Sequence, residues 1–179
     1  MQGRLALKNY AGIKMKGLEN EAYLTGFIIS NLAGLILLWV ALKKPWAARI
    51  LFSLLFGWAC WRNYTLAVMN PREYLAYADL AVAWYRDFID GWFSRHIGIF
   101  VSIIAVFQGM IAAGMLLNDG WVKAACVGAV IFLLSIAPLG VGAAFPFSIT
   151  VSAAALIIYF RDKHNYIWQN GKVHNAAHP

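Results

Sequence analysis

Long apolar stretches without charged residues follow one another along most of this chain, separated by short polar segments. Each is about as long as the roughly 20 residues that a helix needs to cross a hydrocarbon core, where its own backbone must satisfy every polar group. The pattern predicts transmembrane helices at 22–42, 46–68, 97–117, 121–139 and 143–160, with polar tails at 1–21 and 161–179.

The segment 72–95 has a different pattern, because charged residues alternate there with large apolar ones. Tyr77, Leu80, Trp84, Phe88 and Trp92 recur at helical spacing on one stripe,. A helix with this charge content cannot span a bilayer, but it can lie in the interface or cap a bundle. We therefore predict one amphipathic interfacial helix over 72–95.

The amino-acid composition also indicates a protein that lies in a lipid membrane. Hydrophobic residues make up 61% of the 179 residues and charged residues only 13%, which excludes an ordinary water-soluble domain. The net charge of +7 comes from Lys and Arg at the ends of apolar stretches, a placement typical of membrane proteins and not of nucleic-acid binding. We expect an all-α polytopic protein whose partners are the lipid bilayer and other membrane protein subunits, with no nucleic acid.

The basic residues also predict an orientation. With five spans, one side of the membrane receives Lys43, Lys44, Arg49, Lys123, Arg161 and Lys163. Basic loops favour the cytoplasm, so we expect a bacterial or archaeal inner-membrane protein with a cytoplasmic C-terminus. This orientation places the basic N-terminal tail outside, a conflict that disappears if 22–42 is a half-inserted or re-entrant segment. The tail has no signal-peptide pattern, so we expect 22–42 to be retained as an anchor.

Two segments of the chain resemble the DoxX/DoxD-like membrane family. The first is RILFSLLFGWACWR at 49–62, which has an opening Arg, an aliphatic stretch with Gly and a closing basic residue; the second is IIAVFQGMIAAGMLL at 103–117. Gln108 stands where that family often has Glu, and Arg62 where Lys is common. The resemblance covers about 46–160.

The resemblance implies a four-helix bundle, to which this chain adds an N-terminal transmembrane helix. Members of that family are linked with quinol oxidase and thiosulfate:quinone oxidoreductase complexes, and others are partners or assembly factors of membrane oxidoreductases. The predicted function is therefore an accessory or structural subunit of a redox-linked membrane complex. The alternatives are a quinone-interacting oxidoreductase subunit, which would be the enzymatic case, and a small-solute or lipid transporter.

Polar residues inside apolar stretches are the candidate ligand-binding residues. Arg62 and Asn63 could bind a quinone carbonyl, a lipid phosphate or an oxyanion; alternatively, Arg62 reaches the outer interface and pairs with an acidic residue of 72–95. Gln108 lies in the middle of its span and needs a partner on another helix. Asn31, Ser53, Ser135 and Ser148 are candidates for that partner, and a ligand is the alternative.

His96, Trp84 and Trp92 complete the candidate set. His96 could relay protons or ligate haem, but the spans contain no second His, so we do not expect a haem. Trp84 and Trp92 could cover a quinone or lipid, or simply anchor the protein at the interface. The sequence identifies no cofactor, although these residues could accommodate a quinone. We expect no metal site, because His164, His174 and His178 lie in a tail without carboxylate neighbours.

Overall fold

The computed structural model describes residues 18–163 and 165–167. This part of the chain is helical, without strands. Its α-helices are α1 (Glu21–Lys43), α2 (Pro45–Met69), α3 (Ala83–Phe88), α4 (Ser94–Gly114), α5 (Asp119–Ile136) and α6 (Phe147–Arg161). Shorter 3₁₀ helices occupy Pro71–Asp79 and Ala137–Ala143, and a π-helical turn occupies Ile89–Phe93.

Local signals set the ends of the long helices. The side chain of Asn20 accepts a hydrogen bond from the Ala22 amide at 2.9 Å and caps α1,. Pro45 ends α1 and opens α2, where its missing N–H costs nothing,. In α4, His96 has φ −130° and ψ 19°, so the regular helix begins at the position where the apolar stretch begins.

The long helices form a closed bundle. α2 packs against α4, α4 against α5, α5 against α6, and α6 against α1, which closes on α2. Phe52 and Phe56 stack at 6.1 Å in the core. The wholly buried Ala129 and Ala154 let α5 and α6 approach closely,. The predicted all-α helical bundle is confirmed.

The bundle has two chemically distinct ends. At one end, which we call the basic end, α1 finishes, α2 starts and α6 finishes. Arg49 at the start of α2 is bonded to Asp162 just after α6, and Arg161 donates to the Leu42 carbonyl at 3.2 Å. The opposite end, which we call the aromatic end, carries Pro71–Asp79, α3 and Ala137–Ala143.

Three helical stretches of the described residues are long and apolar enough to cross a membrane: Glu21–Lys43, Ala83–Gly114 and Asp119–Ala143. α6 is apolar but shorter, and α2 is not in this group. Large apolar side chains face outwards, including Trp39, Trp58, Ile131 and Phe160, each more than 60% exposed. Such a surface suits lipid and not water, which supports the prediction of a membrane protein.

The segment predicted as one amphipathic helix over 72–95 is not a single helix. The chain breaks at 80–82, where the Val82 amide donates to the Pro138 carbonyl at 3.1 Å. Before the break lies the 3₁₀ helix Pro71–Asp79, whereas after it α3 continues through the π-helical turn into α4. The stripe from Tyr77 to Trp92 is therefore divided between two elements. In addition, α1 is one continuous helix, without the turn that a re-entrant segment requires.

Candidate ligand-binding site at the aromatic end

A cavity of about 200 Å³ lies at the aromatic end, between α2, α4, α5 and the segments that close the bundle. Nearly half of the residues that line it are aromatic: Tyr74, Tyr77, Tyr85, Phe88, Phe93, Phe100 and Phe132. Asn63 contributes a polar side chain, and no charged residue of the described chain lines the cavity. An engineered protein cavity of about 150 Å³ holds benzene. The cavity at the aromatic end therefore has room for one substituted six-membered ring.

A hydrogen-bonded chain of three side chains forms one wall of the site. The Asn63 Nδ2 donates to Gln108 Oε1 at 2.8 Å, and the Tyr74 hydroxyl donates to Asn63 Oδ1 at 2.8 Å. Gln108 is only 2% exposed. A buried amide without a partner costs about 1–3 kcal/mol, so these bonds fix α2, α4 and Pro71–Asp79 against one another.

The partner of Gln108 is thus Asn63, which is none of the four residues that the sequence analysis named. Asn31 instead donates to the carbonyls of Phe27 and Ala144, and Ser135 donates to that of Phe132. The hydroxyl of Ser148 is buried and has no hydrogen-bond partner in the described part of the chain. Asn31, Ser135 and Ser148 lie on α1, α5 and α6, whereas the observed partner of Gln108 lies on α2.

Two phenols in the cavity wall have unused hydrogen-bonding capacity. The hydroxyls of Tyr77 and Tyr85 bond to no residue between 18 and 163 or between 165 and 167, although both side chains line the cavity. Burial raises the pKa of Tyr77, and it raises that of Tyr74 to about 12, against a weaker opposing effect of Arg62. Tyr74 and Tyr77 therefore stay protonated at neutral pH, and their hydroxyls can donate hydrogen bonds.

Gly142 is required where the cavity meets the 3₁₀ helix Ala137–Ala143. A Cβ atom at this position would lie 2.7 Å from Cδ1 of Tyr77, closer than real contacts allow. The glycine therefore lets the Tyr77 ring pack directly on the backbone, and it fixes the position of that ring in the cavity wall.

Arg62 and His96 lie outside the cavity. Arg62 is exposed, and within the described ranges it forms no ion pair with Asp79, Asp87 or Asp90. It lies close enough to Tyr74 and Tyr77 to oppose the rise in their pKa values. The exposed ring of His96 stacks on Trp92 with centroids 4.8 Å apart, and its Nδ1 is 3.0 Å from the Trp92 carbonyl oxygen.

Trp84 and Trp92 face away from the cavity and are 64% and 53% exposed. Each contacts a ring of the cavity wall from outside: Trp84 packs edge-on against Tyr85 at 5.2 Å, and Trp92 stacks on Phe88 at 6.0 Å. This position fits an interfacial anchor. Of the six candidate residues, the structure brings Asn63 to the cavity and joins Gln108 to it, while the other four lie around its outside.

A second polar cluster, which the sequence analysis missed, lies at the basic end. Arg49, which the sequence analysis used to predict the orientation, is wholly buried. It donates to Asp162 at 2.7 Å, to the carbonyls of Met115 and Asn165 at 2.8 Å, and to that of Leu117. Four of its five N–H donors are used within the protein,, so this cluster is structural.

Comparison with protein-family models, curated proteins and solved structures gives no match for this chain. The site is therefore interpreted from its geometry. Among the described residues, no three His, Cys, Asp or Glu side chains are grouped so that they could hold a metal ion. His164, His174 and His178 lie outside the described residues.

Sequence reasoning did not identify Tyr74 as part of the site. A tyrosine next to charged residues is also typical of an interfacial anchor, so its sequence context gave no distinguishing signal. The contact that identifies it is the hydrogen bond to Asn63, eleven positions away. Tyr77 and Phe88, in contrast, belong to the stripe that the sequence analysis did indicate.

Proposed function

We propose that this protein is an integral membrane subunit that binds a quinone in the cavity at the aromatic end and works beside a redox partner in a membrane complex. The observation that carries the proposal is that the phenol hydroxyls of Tyr77 and Tyr85, in an uncharged aromatic cavity of about 200 Å³, have no hydrogen-bond partner among the described residues. A quinone ring presents carbonyl oxygens that accept hydrogen bonds and a flat face that packs on aromatic rings.

The charge of the cavity favours a quinone over a phospholipid headgroup. A phosphate requires a basic side chain or a cluster of amides, and the described residues that line the cavity include neither Lys nor Arg. Arg62 is near two of the tyrosines but exposed. An uncharged ring needs no counterion, so it matches the wall as it stands.

The chain itself has the role of a binding subunit in this proposal. Its residues bind and orient the ring, whereas electron transfer belongs to the quinone and to the partner. The redox partner rests on the resemblance of residues 46–160 to the DoxX/DoxD-like family, as does the placement in a bacterial or archaeal inner membrane. The basic end would face the cytoplasm and the cavity the opposite side.

The transporter alternative receives less support. A carrier requires a polar path at the middle of the bilayer, and the amides of Asn63 and Gln108 are instead bonded to each other. This arrangement favours a ligand held at one end of the bundle over a solute that passes through it.

The test is whether quinone co-purifies with the protein. We expect solvent extracts of protein purified in mild detergent to contain a quinone that mass spectrometry identifies. The double variant Tyr77→Phe, Tyr85→Phe keeps both rings and removes both donors, so it should lose most of that quinone. Tyr64→Phe is the control, because Tyr64 is 58% exposed on α2, away from the cavity. Equal quinone in the double variant and the wild type, or none in the wild type, would refute the proposal.

A further inference from the structure

A second and larger cavity runs as a groove between α4 and α5, with a volume of about 620 Å³. On α4 its lining extends from Ile104 to Gly114, which corresponds to roughly 15 Å at 1.5 Å per residue. Its lining is apolar except for the indole N–H of Trp121 and for Ser135, whose hydroxyl already donates to the Phe132 carbonyl at 2.7 Å. A charged occupant would find no counterion there.

The groove and the cavity at the aromatic end adjoin. Ile104 and Phe132 line both of them, so these two side chains form the boundary between the ring-sized cavity and the groove. From that boundary the groove follows α4 and α5 towards the basic end. A ring with a chain attached could occupy both spaces at once.

Close packing of the two helices forms the floor of the groove. A Cβ atom on Gly114 would lie 2.9 Å from Cβ of Ala125, so the helices touch there. Phe107, Met110 and Ile131 extend outwards and are each at least 58% exposed. These side chains project on both sides of the contact between the helices, so the groove extends over several helical turns.

We infer that the groove holds the apolar chain of the same ligand whose ring lies in the cavity at the aromatic end, so that the ligand is a long-chain quinone. This inference rests on the proposed function. The volume falls within the roughly 300–1,000 Å³ of ordinary ligand sites. Bilayer lipid is as apolar as the groove, so moving the chain from lipid into the groove gains no free energy by transfer out of water. Binding of the chain is instead favoured by its close contacts with the groove and by its fixed direction.

The test compares two probes with protein in nanodiscs: a dimethoxy-methyl-benzoquinone without a side chain, and its decyl derivative. Ala124→Trp fills the groove from an exposed position in its lining. Val127→Trp is the matched control, since Val127 is 48% exposed on the same helix but outside the groove. We expect Ala124→Trp to weaken binding of the decyl derivative by about tenfold and to leave the short probe unchanged. Val127→Trp should change neither.

The outcomes separate this inference from the proposed function. If Ala124→Trp binds both probes as the wild type does, the groove is not the chain site, while the proposed function stands. If the wild type binds neither probe, the proposed function itself fails. If Ala124→Trp changes the oligomeric state and not the binding, the groove belongs to a second copy of this chain and the inference is overturned. Ala113→Trp, which enters the groove from α4, replaces Ala124→Trp if the latter does not fold.

Discussion

Arg49 is the most constrained side chain of the bundle. Its guanidinium is 0% exposed and reaches Asp162, two carbonyls after α4 and the Asn165 carbonyl. Because the charge lies among apolar helices, it is tolerable only while all these partners are present. The sequence could not show this, because a basic residue one turn into an apolar helix is equally compatible with a side chain that extends into the headgroups.

Replacing Arg49 should therefore destabilise the protein strongly. We expect Arg49→Leu to lower the free energy of unfolding by about 3–5 kcal/mol, because it removes the buried ion pair to Asp162 and the donor of three backbone carbonyls,. The measurement is unfolding in mixed micelles of increasing denaturing detergent. Arg161→Leu is the control, since Arg161 is exposed and makes one bond of 3.2 Å. Similar losses in the two variants would contradict the structural role of Arg49.

Because of Tyr74, the free energy of unfolding should depend on pH in the alkaline range. Burial raises its pKa to about 12 in the fold, against 10.0 for an ordinary tyrosine. A raised pKa means that the fold favours the protonated phenol, so the contribution is complete below pH 10 and is lost as the pH rises towards 12,. The stability difference between the wild type and Tyr74→Phe should shrink over that range.

Absorbance of the phenolate checks the assignment directly. The wild-type titration minus that of Tyr74→Phe should show one tyrosine ionising near pH 12 in the folded protein. In denaturant the same difference should move to about pH 10. If this tyrosine already ionises at about pH 10 in the folded protein, Tyr74 is not shielded from water by the fold.

Among the elements, the long helices were predictable and the aromatic end was not. The apolar stretches gave five long helices whose bounds fall within a few residues of those observed. The break at 80–82 depends on the hydrogen bond from Val82 to Pro138, which is distant in sequence. A local pattern of apolar spacing contains no information about that bond, so it predicted one helix where there are several elements.

For the candidate site, the sequence indicated two of the polar residues but not how they pair. Asn63 and Gln108 stand out because a polar side chain in an apolar stretch needs a partner. Their bond to each other requires the register of α2 against α4, 45 positions apart. The sequence indicates which residues need partners, whereas the packing of the helices decides which partners they obtain.

The 3₁₀ helix Ala137–Ala143 should control the shape of the cavity through Gly142. We expect Gly142→Ala to push the Tyr77 ring aside, since the new methyl group would lie 2.7 Å from it, and to weaken quinone binding by about tenfold or more. Gly91→Ala is the control, because no atom lies within 4 Å of its added Cβ. The measurement is the amount of co-purified quinone per protein. Unchanged quinone in Gly142→Ala would show that Tyr77 does not shape the site.

At the scale of the whole molecule, the two ends of the bundle should face opposite sides of the membrane. Exposed Lys163 follows α6 at the basic end, and exposed Asp79 ends the 3₁₀ helix at the aromatic end. Single cysteines at these positions, in a background without Cys60 and Cys126, should react with an impermeant maleimide from opposite sides of sealed vesicles. Labelling of both positions from the same side would contradict the bundle as a transmembrane structure.

Photolabelling with an azido-quinone in native membranes tests most directly whether the cavity at the aromatic end binds a quinone. After illumination, the protein is digested and the modified peptides are located by mass spectrometry. We predict labels within Pro71–Asp79, Ala83–Phe88 and Ala137–Ala143, and their loss when unlabelled quinone competes. Labels confined to the basic end, or spread evenly over the lipid-facing surface, would contradict a quinone site in this cavity.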